Sequence, residues 1–169
     1  MAGSCRILSV VVLLLGGVFA YSACAGADSI TPLVSNAGAG PRAAAAPTPD
    51  EYAIVRAMNA VRVANGVAPL RIGTALSRAA HAHSVDMARK GYFDHGAFVR
   101  RLRRFGVRAT FIGENIASAS GPMEATAIVQ MWVESPPHRQ NLLNRGFQRV
   151  GVGVAGGSTR MVTADFAGR

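Results

Sequence analysis

Cysteine is confined to the leader end of the chain. Cys5 and Cys24 are the only two among 169 residues, so whatever folds beyond position 24 has no disulfide, no thiolate metal ligand and no cysteine nucleophile. An exported domain built this way is held by its own core and polar network. Acids are scarce too, nine against eighteen bases, for a net charge of +9. Lysine is nearly missing: Lys90 stands alone and every other base is an arginine. Outside a cell such a surface points to anionic headgroups, wall polymers or acidic partners before nucleic acid. Nor is any apolar run long enough for a comfortable membrane span, the longest being ILSVVVLLLGGVFA over residues 7–20, which Gly16 and Gly17 interrupt.

With Arg6 ahead of it and small residues behind, that run has the form of a secretion signal. Two processing sites compete. Ala25-Gly26-Ala27 is an A-x-A site, with cleavage after 27, and Tyr21-Ser22-Ala23-Cys24 is close to a lipoprotein box in which Cys24 would carry lipid and attach the chain to a membrane. Loss of Arg6 with the leader leaves a charge of +8. The division expected is a signal peptide over 1–24, a flexible Pro/Ala/Gly linker over 25–49 and one domain over 50–169.

Within the domain, Ile54, Met58, Val61 and Asn65 keep helical spacing up to Gly66. A second helix is expected from a cap at Thr74 to Gly91, with Leu76, Ala80, His83 and Met87 on one stripe. A short basic helix in FVRRLRRFG and another in PMEATAIVQMWVES, with Pro122 in its first turn, follow. Residues 147–155 and 159–166 flank AGGS as a hairpin, and RATFI ahead of Gly113 offers a third strand. No internal repeat is evident. Helices followed by a terminal hairpin predict an α+β layer fold.

The stretch WVESPPHRQN holds the only tryptophan, Trp132, and concentrates reactive residue types. Pro136 biases Ser135 out of helical conformation, so one helix ends there and Ser135 caps the next. His138 then stands in a first turn, where the helix dipole favours the neutral imidazole that accepts a hydrogen bond or ligates a metal. His95 in YFDHG and Glu114 in GENIA, both in loop-like surroundings, are its partners: two histidines and a carboxylate make an open site for which zinc is the default divalent metal. His81 and His83 lie roughly 200° apart around a helix and share no ligand. His83 reads as a satisfied core histidine and His81 as solvent-facing. The run Arg100, Arg101, Arg103, Arg104 and Arg108 reads as a solvated helix face, with contact to an anionic surface as the alternative. A serine triad built on Ser135, His138 and Glu114 or Glu134 lacks a G-x-S-x-G elbow, and a capping serine has its oxygen committed to backbone.

MNAVRVANGVAPL, AHAHSVDMARKGYFDHG, GENIA, MWVESPPHRQNLL and FQRVGVGVA with VTADFAG together resemble the bacterial branch of the CAP superfamily, the SCP-like domains related to cysteine-rich secretory proteins, antigen 5 and plant pathogenesis-related class 1 proteins. The resemblance spans about residues 52–168. It implies a three-layer α-β-α sandwich with a small antiparallel sheet, and a cleft in which two histidines and two glutamates meet and which holds a divalent metal in some members. The histidines fall on His95 and His138 and the first glutamate on Glu114. The second glutamate falls on Ser135, and Glu134, roughly 100° away on a helix, is a poor substitute. The loop after His95 is also shorter than is common in the family.

These readings converge on an extracytoplasmic, monomeric binding module, secreted or anchored on the outer face of the membrane. Its cleft of His95, Glu114, Ser135 and His138 would take a lipid, a wall-derived ligand or a protein partner. Two alternatives stand beside it: a hydrolase using Glu114 and His138, or a metal-bound water, as base, and a structural envelope protein with an inactive cleft.

Overall fold

The computed structural model describes residues 5–13, 46–121 and 124–169. Cys24, both processing sites, residues 25–45 of the linker and Pro122 lie outside them. The described elements run β1 (Cys5–Leu13), α1 (Pro49–Ala64), β2 (Arg71–Ile72), α2 (Thr74–Lys90), α3 (Phe98–Arg104), β3 (Phe111–Ser120), α4 (Ala125–Glu134), α5 (Pro136–Leu142), β4 (Phe147–Gly156) and β5 (Thr159–Gly168). The strands form one sheet in the order β1-β3-β5-β4-β2, antiparallel except where β2 meets β4. β1 coincides with the run assigned above to the export signal, so from α1 onward the chain contributes four strands. No helix among the described residues is long and apolar enough to cross a membrane.

The expected α+β sandwich is present, with α1, α4 and α5 on one face of the sheet and α2 and α3 on the other. Side chains alternate across a strand, so each strand serves both layers. In β4 the valines Val150 and Val152 pack with Ile54, Met58, Trp132 and Phe166 on the α1 side. Between them Gly151 and Gly153 face α2 so closely that a Cβ on either would fall 2.1–2.2 Å from backbone atoms of Leu76, Ser77 or His81. The VGVGV repeat is therefore one wall of core and one flat bed for a helix.

Four boundaries differ from the expectation, one of them the start of α4, which is Ala125 after a cap at Glu124 instead of Pro122. α1 starts earlier, because Thr48 Oγ1 accepts from Glu51 N at 3.3 Å while Glu51 Oε2 accepts from Thr48 N at 2.8 Å, a reciprocal cap that places Pro49 in the first turn. Thr74 is the first residue of α2 and not its cap; Gly73 caps it without a side-chain bond. The third strand is the ten residues of β3 instead of RATFI, which places Glu114 and Asn115 inside a strand and not in a loop. Residues 112–118 are buried throughout, and a strand covered on both faces loses the polar alternation by which strands are recognised.

Arg62 locks this frame. It lies fully buried at the i+4 position from Met58, where Nε donates to Ala68 O at 2.8 Å, Nη1 to Leu142 O at 2.7 Å and Nη2 to Phe147 O at 3.2 Å. α1 is thereby tied to the turn that leads from α5 into β4. Burial lowers its pKa, yet the ordinary value is so high that the guanidinium stays charged.

Candidate functional site

Glu114 and Asp165 are register partners on β3 and β5, facing the α2–α3 layer, and both are fully buried. Two buried carboxyls side by side need a counter-charge or a proton. Both are supplied. Arg101 Nη2 donates to Glu114 Oε2 in a very close contact and lies 3.3 Å from Asp165 Oδ1, while Nη1 donates to His95 O at 3.3 Å. Burial raises the Glu114 pKa to about 7 against the pull of Arg101, and raises Asp165 well above the usual range, Glu114 adding to it. Both shifts favour a proton held on the pair.

His95 closes the group, its Nδ1 2.6 Å from Glu114 Oε1. Burial, assisted by Arg101, lowers its pKa, so the ring is neutral. With Glu114 ionised, Nδ1–H donates to the carboxylate and Nε2 is left as an acceptor. That nitrogen is buried and has no hydrogen-bond partner among the described residues.

Arg101 corrects the reading of the arginine run as a solvated face. Arg100, Arg103, Arg104 and Arg108 are exposed, whereas Arg101 keeps only 12% of its side chain accessible. It stands three residues after Phe98 and beside Leu102, the two buried residues of α3, and its guanidinium lies 5.7 Å from the Phe98 ring. Helical spacing carries it inward and two acids hold it there.

α5 approaches β3 from the opposite face. Asn115 Nδ2 donates to His138 O at 3.1 Å, and Asn141 Nδ2 donates to Asn115 Oδ1 at 2.9 Å and Glu114 O at 3.2 Å. His138 is 3% exposed. Ser135 stands at the N-cap but makes no side-chain cap bond; its Oγ lies instead 2.7 Å from His138 Nδ1. This corrects the expectation of an oxygen committed to backbone: Pro137 has no N–H to offer a cap, and the hydroxyl turns to the His138 ring. Glu134 is outside the group, exposed and accepting from Gln130 Nε2 at 2.9 Å. His83 is the satisfied core histidine expected, its Nε2 2.9 Å from Asp94 O, and His81 is half exposed beside Glu51.

These contacts bear on whether the residues present fit a metal. Both oxygens of Glu114 are engaged, one by His95 and one by a cation, and no group of three or more His, Cys, Asp and Glu among the described residues is placed to hold a metal ion. His95 and Glu114 share the α2–α3 face with Arg101 while His138 comes from the other face, so the three do not fit a dication as they are placed. Sequence reasoning missed Arg101 and Asp165. For Asp165 the signal was an acid in the middle of the apolar strand VTADF, where only a partnered carboxyl is tolerated.

The model of the CAP family, described as the cysteine-rich secretory protein family, matches residues 55–166. The uncharacterized protein YkwD of Bacillus subtilis (strain 168) is 38% identical over 125 residues, 70% of this chain and 47% of that one. An uncharacterized membrane protein of the same strain, YlbC, is 35% identical over 112 residues, 63% of this chain and 32% of its own length. The chain thus spans less than half of either relative. Among solved structures, an extracellular protein containing a SCP domain from Bacillus anthracis str. Ames superposes with a TM-score of 0.65 at 29% identity, over 74% of this chain and 45% of that one. An outer surface protein of Borrelia burgdorferi gives 0.64 at 18% identity over 71% and 92%, a likeness of fold alone.

Proposed function

Because the chain belongs to the CAP family, we propose that it is an extracytoplasmic binding module, acting as a monomer, in which His95 and Glu114 on the α2–α3 face of β3 and His138 on the α5 face flank the site that holds a lipid, a wall-derived ligand or a protein partner. The carrying observation is the locked state of Glu114: fully buried, with one oxygen on His95 and the other on Arg101. A carboxylate so placed orients a histidine; it does not reach a substrate as a general base. The extracellular SCP-domain protein among the solved likenesses supports the location. A divalent metal enters this reading only by displacing Arg101.

The Ser135 Oγ to His138 Nδ1 approach of 2.7 Å favours a second reading, a serine hydrolase. The residues that follow argue against it. An oxyanion hole commonly draws on a backbone N–H beside the nucleophile, and Pro136 and Pro137 have none.

Retention of the purified exported protein on washed membranes and on wall sacculi separates the readings. His95→Asn keeps a donor for Glu114 and removes Nε2; it is expected to lower retention on one fraction about tenfold or more with an unchanged melting curve. Retention unaltered in both His95→Asn and His138→Ala would sink the binding reading. Ester or peptide turnover abolished by Ser135→Ala would install the hydrolase in its place.

A further inference from the structure

A cavity of about 590 Å³ opens between α2 and α3, on the far side of Arg101 from the buried acids. Arg100, Arg101, Arg104, Lys90, Tyr92 and Phe105 line it. Its charge is unevenly spent. Lys90 is paired with Asp86 at 2.7 Å, and the Tyr92 hydroxyl donates to the same carboxylate at 2.7 Å. Among the described residues Asp86 is the only acid on the wall, and Lys90 and Tyr92 hold its pKa below the usual range. Arg101 answers Glu114 and Asp165. His83, also on the wall, is neutral, burial having brought its pKa down to about 4. Arg100 and Arg104 remain, exposed and in no ion pair among the described residues. Arg101 adds an Nε that is buried without a hydrogen-bond partner among those residues.

We propose that this cavity is a binding site for a phosphate-bearing ligand, gripped by Arg100 and Arg104 at the rim with Arg101 at the floor. Guanidinium forks match phosphate oxygens two at a time, and a dianion gains from each cation more than a monoanion does. Phe105, Ala82 and Ala97 give the wall an apolar share, so a group attached to the phosphate is covered while its charge stays at the arginines. The volume suits a small ligand and is too small for a folded partner. The site lies on α2 and α3, apart from α5, and does not depend on the cleft reading.

Inorganic phosphate is the first probe, titrated into the full exported chain at constant ionic strength and followed by amide and arginine Nε–H chemical shifts. Saturable shifts at Tyr92, Arg100 and Arg104 are expected, with affinity weakened about tenfold or more by Arg104→Glu or Arg100→Glu and retained in His138→Ala. Vesicles then distinguish the source. Co-sedimentation with phosphatidylcholine vesicles containing phosphatidylglycerol, lost in Arg104→Glu, assigns a lipid headgroup; saturable phosphate binding without sedimentation assigns a soluble or wall-borne phosphate. Shifts that rise linearly at every exposed arginine, or that persist unchanged in both charge reversals, would overturn the proposal.

Discussion

Arg101 does for Glu114 and Asp165 what a dication would otherwise do: it brings positive charge to two carboxyls that water cannot reach. Removing one partner of such a group leaves an uncompensated buried charge or forces a second proton onto the pair, at a cost of about 3–5 kcal/mol. Arg101→Met is expected to lose stability on that scale in urea unfolding, and the loss should be smaller at pH 5, where a protonated Glu114 no longer needs the cation. Zinc offers a second measurement. It should raise the melting temperature of Arg101→Met and leave the parent unmoved; a stoichiometric zinc held by the parent, lost in His95→Asn, would show that Arg101 yields to the metal. His95 and Glu114 drew attention in the sequence because a histidine or an acid beside glycine stands out, and His138 because it follows two prolines. Arg101 did not, since in RRLRR the arginines look alike until Phe98 and Leu102 fix which side of the helix is buried. Asp165 was hidden for another reason: its partner is set by strand register, which no local pattern reveals.

At the scale of elements, the contact between α2 and the sheet is made by missing side chains. Gly153→Ala would place a Cβ 2.2 Å from His81 N, and Gly151→Ala one 2.1 Å from Leu76 C, with backbone on both sides and no flexible group to move away. Each is expected to cost about 3 kcal/mol or more, read as a lowered urea midpoint with an unchanged slope. A Cβ added at Gly157, in the β4–β5 turn, would meet nothing within 4 Å, and Gly157→Ala should stay within about 0.5 kcal/mol. Equal losses at all three positions would mean that glycine itself matters there and the close approach does not. The alternation of VGVGV was enough to foresee β4, and the capping and glycine signals foresaw four of the five helices nearly to the residue. β2 escaped because two residues carry no period, and β3 was misplaced because burial on both faces erased the polar half of its pattern.

For the whole molecule the absence of disulfides leaves stability to packing and to protonation, and two buried groups set opposing pH slopes. His83 titrates near 4 in the fold against an ordinary 6.5, chiefly through burial. Between those values the unfolded chain binds the proton first, so the stability contributed by neutral His83 is complete above pH 6.5 and is lost as pH falls toward 4. Glu114 titrates near 7 in the fold against an ordinary 4.5, again through burial. Here the folded chain holds the proton longer, so its contribution is complete below pH 4.5 and is lost as pH rises through 7. From 4.5 to 6.5 the slopes oppose each other, each at most about 1.4 kcal/mol per pH unit; the raised Asp165 adds to the carboxyl slope and the lowered His95 to the histidine slope, and stability should be nearly flat. Above 6.5 only the carboxyl pair acts, Asp165 extending the decline because its own pKa is raised in the same direction. Urea midpoints measured from pH 4 to 8 should therefore show a plateau that falls on the alkaline side, with the fall flattened in Glu114→Gln and the acid-side loss reduced in His83→Asn. A parent whose stability rises from pH 6.5 to 8 in parallel with Glu114→Gln would mean that Arg101 holds Glu114 ionised throughout, and that the site carries a fixed charge instead of a shared proton.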